Sequence, residues 1–73
     1  MEKLLEILNE LLSTIGIDPV DKLEPHTNLR SDLEIDSISY AELIVRLEDE
    51  FGIDVNENGR ADTVGDLITR LIK

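Results

Sequence analysis

The sequence contains no cysteine and few aromatic residues. Without cysteine, the chain itself has no disulfide, no thiolate metal site and no cysteine nucleophile. Tyr40 and Phe51 are the only Tyr, Phe or Trp residues, so a hydrophobic core must be mainly aliphatic. The longest apolar run is Leu43-Ile44-Val45, far short of the roughly 20 residues that span a bilayer. The start of the sequence shows no signal-peptide pattern, and we expect a cytoplasmic protein without a membrane segment.

Basic side chains are scarce, with seven Lys and Arg against 17 Asp and Glu and a formal net charge of −10. Such a surface repels phosphate backbones and anionic lipid, so we expect neither nucleic-acid binding nor membrane binding. It attracts partners that carry basic patches. A chain of 73 residues has room for one small domain, which we place over residues 1–73, and we expect a monomer.

Apolar spacing predicts that the first helix runs from Glu2 to about Ile15, where Gly16 is a natural end. The second helix opens at Asp36 or Ser37, since either side chain can cap it. Ser39 and Glu42 offer a second capping box one turn later, and Gly52 ends the helix. Its predicted core-facing residues are Tyr40, Ala41, Leu43, Ile44, Leu47 and Phe51.

A last helix is predicted after Thr63, which caps it, with Asp66 in the place of the usual Glu of a capping box. Its apolar face comprises Val64, Leu67, Ile68, Leu71 and Ile72. Residues 17–36 lose periodicity and are predicted to form a packed connection, and residues 56–62 hold at most a short helical turn. The sequence therefore predicts an all-α fold. It is a small four-helix bundle, with three main helices, a short or vestigial third helix and a long first loop.

Ser37 lies where the long loop meets the second helix. A serine at such a position is ordinarily a helix cap. It is not an activated nucleophile, because the only histidine, His26, lies in the loop and no basic side chain stands near Ser37 in the sequence to take its proton. We therefore predict that the chain is not an enzyme.

Four motifs resemble acyl carrier proteins, and together they span nearly the whole chain in the same order of elements. The motifs are DLEIDSI at residues 32–38, EL at 42–43, LEDEFGI at 47–53 and TVGDL at 63–67. The resemblance implies that a phosphopantetheinyl transferase attaches 4′-phosphopantetheine from coenzyme A to Ser37. Acyl chains would then be carried on the thiol of this arm in fatty-acid, polyketide or nonribosomal biosynthesis. It also implies that Asp36 helps to present the serine.

The same resemblance implies that the second helix docks acyl-processing enzymes through their basic patches. Between Ser31 and Glu57 the sequence has nine acidic residues against one base, Arg46. Charges of this kind favour fast, weak and salt-sensitive encounters. The implied docking residues are Ile38, Glu42, Val45, Glu48 and Asp49.

Two alternatives stay open at this point. Asp54, Asn56 and Asn58 occupy positions one, three and five of a sequence that begins like an EF-hand loop. Position twelve is Gly65 rather than glutamate, so the pattern indicates at most a weak calcium site and no dedicated metal centre. The other alternative is an acidic helical module that binds a basic partner and carries nothing.

Overall fold

The described part of the chain contains three α-helices and no β-strand. The structure, a computed structural model, describes residues 2–72. Its helices are α1 (Glu2–Thr14), α2 (Ser37–Phe51) and α3 (Val64–Leu71). An isolated antiparallel bridge joins Asn28 to Thr63. The prediction of an all-α fold is confirmed.

α1 buries one wide apolar face, as its residue spacing predicts. The helix ends at Thr14, one residue before the predicted end. Gly16 then adopts a φ of 82°, which favours glycine, and the Ile17 N–H donates to the Leu12 carbonyl at 2.8 Å. The buried residues of α1 are Leu4, Ile7, Leu8, Leu11 and Leu12.

The segment between α1 and α2 is fastened to α1 by one side chain. Asn9 Nδ2 donates to the Val20 carbonyl at 3.0 Å, and Asn9 Oδ1 accepts from the Val20 N–H at 2.9 Å. This clamp satisfies two backbone groups of a segment that has no helix or strand to pair them. Further along, Leu29, Leu33 and Ile35 are buried and anchor the segment to the core.

α2 packs directly against α1 through its inner face. Tyr40, Leu43 and Leu47 are buried on that face, as the sequence predicts, and Gly52 ends the helix with a φ of 70°. Ile44 and Phe51 pack partly buried against the core. One position differs from the prediction, since Ala41 is exposed. Ser39, whose burial was not predicted from the sequence, is buried with 9% of its surface accessible.

The short extra helix expected within residues 56–62 is not confirmed, because the structure has consecutive turns there. The Glu57 N–H donates to the Asp54 carbonyl at 3.2 Å, and the Gly59 N–H donates to the Asn56 carbonyl at 3.1 Å. Gly59 has a φ of 115°, which is incompatible with a helix. The fold therefore has the three predicted main helices between residues 2 and 72, and the short or vestigial third helix of the predicted four-helix bundle is not confirmed.

α3 closes the core with Val64, Leu67 and Leu71, which are all buried. Its predicted cap is confirmed, since Thr63 and Asp66 form a complete capping box. Ile72 was predicted to belong to the apolar face, but it follows the last helical turn and 62% of its surface is exposed. None of the three described helices is long and apolar enough to cross a membrane.

Candidate functional site

Two buried side chains fix the direction in which the chain enters α2. Leu33 and Ile35 both lie in the core, and the Ile35 N–H donates to the Leu29 carbonyl at 3.0 Å. Glu34, between them, has a φ of 58°, in the left-handed region that costs a non-glycine residue about 1–2 kcal/mol. Because both of its neighbours are anchored, the backbone keeps this conformation and delivers Asp36 and the residue after it to a defined place.

Asp36 is the N-cap of α2. Its backbone is extended, and its Oδ1 accepts a hydrogen bond from the Ser39 N–H at 2.8 Å. This bond and that of the Ser39 hydroxyl lower the pKa of the Asp36 carboxyl below its ordinary value, with smaller contributions from the Ile38 N–H and the Arg30 charge. Asp36 is therefore an ionised, exposed carboxylate at neutral pH.

Ser37 is the first residue of α2 and is exposed. Because Asp36 caps the helix, the Ser37 hydroxyl is not needed as a cap. Neither this hydroxyl nor the Ser37 backbone N–H has a hydrogen-bond partner within residues 2–72. The second capping box, predicted at Ser39 and Glu42, does not form, because the Ser39 N–H is already bound by Asp36 inside the first turn.

The surroundings of Ser37 suit modification better than catalysis. A serine nucleophile needs a general base in hydrogen-bond reach, and none contacts its hydroxyl in the part of the chain that the structure describes. His26 lies beside Glu24 instead, with 3.4 Å between Nε2 and Oε1. An open helix start, in contrast, favours an anion on the hydroxyl, since the exposed N–H groups and the helix dipole are positive there.

Four of the five predicted docking residues share one face of α2. Ile38, Glu42, Val45 and Asp49 follow one another at spacings of four, three and four, and all are exposed. Ile38 is 83% exposed and Val45 is 55% exposed, and they lie two turns apart on the same face. Glu48 is exposed on the flank of the same face. The outer face of α2 thus combines two apolar side chains with three carboxylates.

Arg46, the one base of this region, is paired with acidic side chains. Its Nη2 lies 2.6 Å from Glu42 Oε2, and its Nη1 lies 3.6 Å from Glu10 Oε1 on α1. The Glu42–Arg46 pair has the four-residue spacing that a helix surface favours. Glu42 is therefore partly neutralised, whereas Glu48 and Asp49 have no ion-pair partner among the described residues.

The residues of the possible calcium loop make hydrogen bonds within the protein. Asp54 Oδ1 accepts from the Asn56 N–H at 2.9 Å, and Asn56 Oδ1 accepts from the Tyr40 hydroxyl at 2.8 Å. Asn58 is exposed in the adjoining turn. Across residues 2–72, no group of three or more His, Cys, Asp or Glu side chains is placed to hold a metal ion. The geometry supports a structural role for this segment.

Sequence reasoning missed the contacts that Tyr40 makes. Its hydroxyl accepts from the Ala61 N–H at 2.8 Å, and Arg60 lies over its ring at 4.3 Å from the centroid. Together with the bond to Asn56, these contacts tie α2 to the turns before α3. The partners lie 16 and 21 residues from Tyr40, so no local spacing signals them.

A comparison with known protein families shows to which family this chain belongs. Residues 2–71 match the family model described as "Phosphopantetheine attachment site". The chain belongs to this family. Members carry the 4′-phosphopantetheine prosthetic group, so the predicted cofactor and the resemblance to acyl carrier proteins are confirmed at this level. Domains of this family are non-catalytic carriers.

Proposed function

We propose that Ser37 is the attachment point of 4′-phosphopantetheine and that the protein carries acyl groups as thioesters on this arm. One observation carries the proposal: Ser37 presents an exposed hydroxyl without a partner within residues 2–72, at the first position of a helix capped by its neighbour. The site fits a phosphate ester, because no existing hydrogen bond has to break and the Ser37 N–H is available to the anion. When attached, the group supplies a thiol at the end of a flexible arm.

Two side chains of this chain have distinct roles in the proposed attachment. Ser37 Oγ forms the new bond to phosphorus, while a phosphopantetheinyl transferase provides coenzyme A and the base that takes the hydroxyl proton. Asp36 fixes the first turn through Ser39 and stays ionised, so it presents the serine in one orientation. Its carboxylate is exposed to the transferase and suits a magnesium ion there.

The outer face of α2 is proposed as the docking surface for acyl-processing enzymes. Ile38 and Val45 offer apolar contacts, and Glu42, Glu48 and Asp49 match basic patches. Such pairing speeds encounters and weakens with salt, which suits a carrier that visits many enzymes. Fatty-acid biosynthesis and the related polyketide and nonribosomal pathways use this chemistry, and we propose a role in one of them.

Intact mass measures the attachment directly. The apo protein is incubated with coenzyme A, magnesium and a broad-specificity phosphopantetheinyl transferase. We expect a gain of one phosphopantetheine in the wild type and none in Ser37→Ala. Ser39→Ala is the matched control, because it removes a serine from the same helical turn and should still be modified. If the wild type gains no mass, the protein acts instead as an acidic helical module that carries nothing.

Charge reversal tests the docking surface. Glu48→Lys and Asp49→Lys should each slow turnover by a partner enzyme at low salt while the helical circular dichroism stays unchanged. Asp18→Lys is the control, since Asp18 is equally exposed but lies in the segment between α1 and α2. Equal kinetics for all three variants and the wild type would refute this surface.

A further inference from the structure

Two of the four arginines have neither a salt bridge nor a hydrogen bond from the guanidinium within residues 2–72. Arg46 pairs with Glu42, and Arg70 donates to the carbonyls of Val55 and Gly59. Arg30 and Arg60, in contrast, form no salt bridge within residues 2–72, although the chain has 17 acidic side chains. Both of these unpaired guanidinium groups lie on the surface.

Arg30 and Arg60 line the same cleft, which has a volume of about 270 Å³. The remaining lining residues are Asn28, Leu29, Ala61 and Asp62. The two walls are held together by the Leu29 N–H, which donates to the Asp62 carbonyl at 2.9 Å. Two of the six lining residues are arginines and one, Asp62, is acidic, so the lining itself has a formal charge of +1.

Both arginines are held by local contacts. Asn28 Oδ1 accepts from the Arg30 N–H at 2.9 Å, which fixes the backbone of Arg30 in a tight turn. The Arg60 guanidinium is stacked on the Tyr40 ring at 4.3 Å, an arrangement that is attractive and limits the motion of this group. The cleft is therefore part of the ordered fold and has an arginine on each of its two walls.

Two residues of the cleft contact residues that precede and follow Ser37: Leu29 accepts from the Ile35 N–H, and Arg60 lies over the Tyr40 ring. The hydrogen bond from Ile35 to Leu29 places Arg30 close enough to Asp36 for its charge to act on that carboxyl. Tyr40, which carries Arg60, follows Ser37 by three residues and so lies on the neighbouring part of the helix surface. Along the chain, Ser37 therefore lies between Asp36, on which the Arg30 charge acts, and Tyr40, on which Arg60 is stacked.

We propose that Arg30 and Arg60 bind the phosphate of the phosphopantetheine arm after its attachment to Ser37. The inference rests on the proposed function and adds a docking place for the base of the arm on the carrier itself. A phosphodiester keeps one negative charge, which the acidic surface repels and guanidinium groups bind through charge-assisted hydrogen bonds. The arm is thereby directed toward the cleft and away from the outer face of α2, and Asp62 opposes this binding.

Nuclear magnetic resonance of the holo protein tests the proposal without any partner enzyme. On conversion from apo to holo, the Nε–Hε signals of Arg30 and Arg60 should shift. The ³¹P transverse relaxation of the arm should be slower in the double variant R30Q/R60Q than in the wild type, because the released phosphate moves more freely. Salt near 1 M, where the Debye length is about 3 Å, should reproduce this change in the wild type.

Matched variants separate this effect from a general change of charge. K22Q removes one positive charge from an exposed residue outside the cleft, and its ³¹P relaxation should equal that of the wild type. D62N removes the opposing carboxylate and should make the relaxation faster. The single variant R30Q is the control for a folding defect in the double variant. Arg60 is stacked on Tyr40 and its loss can disturb the fold, whereas Arg30 makes no such contact with Tyr40.

Unchanged arginine signals and equal ³¹P relaxation in wild type, R30Q, R60Q and D62N would overturn the inference. That result leaves the attachment intact, because intact mass reports it separately. If no phosphopantetheine is gained at all, the proposed function fails first and the inference falls with it. A further control mixes apo protein with inorganic phosphate at the same molar concentration as the protein. The same arginine shifts in this sample would contradict the proposal that the phosphate binds because it is attached to Ser37.

Discussion

The two helices that begin inside the chain, α2 and α3, start in opposite ways. At α3 the protein occupies the exposed backbone donors: the Val64 N–H donates to the Thr27 carbonyl, and the Gly65 N–H donates to the Pro25 carbonyl, both at 2.9 Å. Val64, the first helical residue, is buried. This start is sealed by the segment that precedes α2.

At α2 the protein leaves the corresponding positions open. Of the first three residues of α2, only Ser39 donates its N–H to the Asp36 side chain in a full hydrogen bond, while Ser37 and Ile38 are exposed to solvent. Helix starts commonly need protein partners for their donors. The sealed start stabilises the fold, whereas the open start leaves Ser37 and Ile38 accessible for the proposed attachment of the arm and the proposed docking of other proteins.

Substitution of the second residue of α3 and of α2 gives the largest predicted difference in stability between the two helix starts. A Cβ on Gly65 would lie 2.9 Å from the Pro25 carbonyl oxygen, which cannot move away because it accepts the Gly65 N–H. Alanine has a higher helix propensity than glycine, which offsets part of the cost of this close contact. The net effect of Gly65→Ala should be to lower the free energy of unfolding by about 1–2 kcal/mol. Ile38→Ala, the control at the same position of α2, should change it by less than about 0.5 kcal/mol. Urea denaturation measures both, and equal losses would contradict the comparison.

Removal of the two caps should cost similar stability but have different effects on attachment. Thr63→Ala and Asp36→Ala each remove a side-chain acceptor from a first-turn N–H, at a cost of about 1 kcal/mol. Only Asp36→Ala should also slow the gain of phosphopantetheine, because Ser37 then loses its fixed orientation. Initial rates from intact mass test this point, and an equal rate in both variants would argue against a presenting role for Asp36.

Acid should weaken both helix starts. The pKa of Asp66 is lowered by hydrogen bonds from the backbone of Asp62 and Thr63, and that of Asp36 is lowered by Ser39. Since each folded-state pKa lies below the unfolded value of about 3.9, the ionised forms stabilise the fold above that pH. This stabilisation is lost as the pH falls through the lower folded-state values.

Asp36→Asn and Asp66→Asn should therefore each flatten the decline of the unfolding free energy below about pH 4. Urea denaturation at a series of pH values measures the slope. Curves for the two variants that run parallel to the wild-type curve would show that these carboxylates do not gain their low pKa on folding.

The smallest change in stability is expected on the outer face of α2. Val45→Ala should alter the free energy of unfolding by less than about 0.5 kcal/mol, because this side chain is 55% exposed. Turnover by a partner enzyme should nevertheless fall, since the apolar contact is lost. A stability loss above 1 kcal/mol with unchanged turnover would mean that Val45 serves the fold and not docking.

Local patterns predicted the parts of the fold that depend on neighbouring residues. The face of α1, the capping box of Thr63 and Asp66, and the end of α2 at Gly52 each follow from spacings of three or four or from one residue type. The four motifs that resemble acyl carrier proteins together led to the prediction of Ser37 as the attachment site, which the mass measurement tests. Periodicity placed Ala41 on the core-facing side of α2, which was wrong, because the segments that pack against the helix decide which of its borderline residues are covered.

Such local patterns do not predict contacts between segments that are distant in the sequence. The turns after Asp54 replace the expected short helix because Asn56 binds Tyr40 and Gly59 adopts a left-handed angle. The cleft that joins Arg30 and Arg60 likewise depends on a hydrogen bond between segments some 30 residues apart. Sequence spacing contains no information on these pairings.

Fragment-ion mass spectrometry of the modified wild-type protein tests the central claim most directly. Cleavage after Arg30 and Arg46 releases one peptide, residues 31–46, which contains Ser31, Ser37 and Ser39. We predict that the phosphopantetheine mass is found on Ser37 alone, because it has the exposed hydroxyl at the open start of α2. The same mass on Ser31 or Ser39, or its absence from this peptide, would contradict the account.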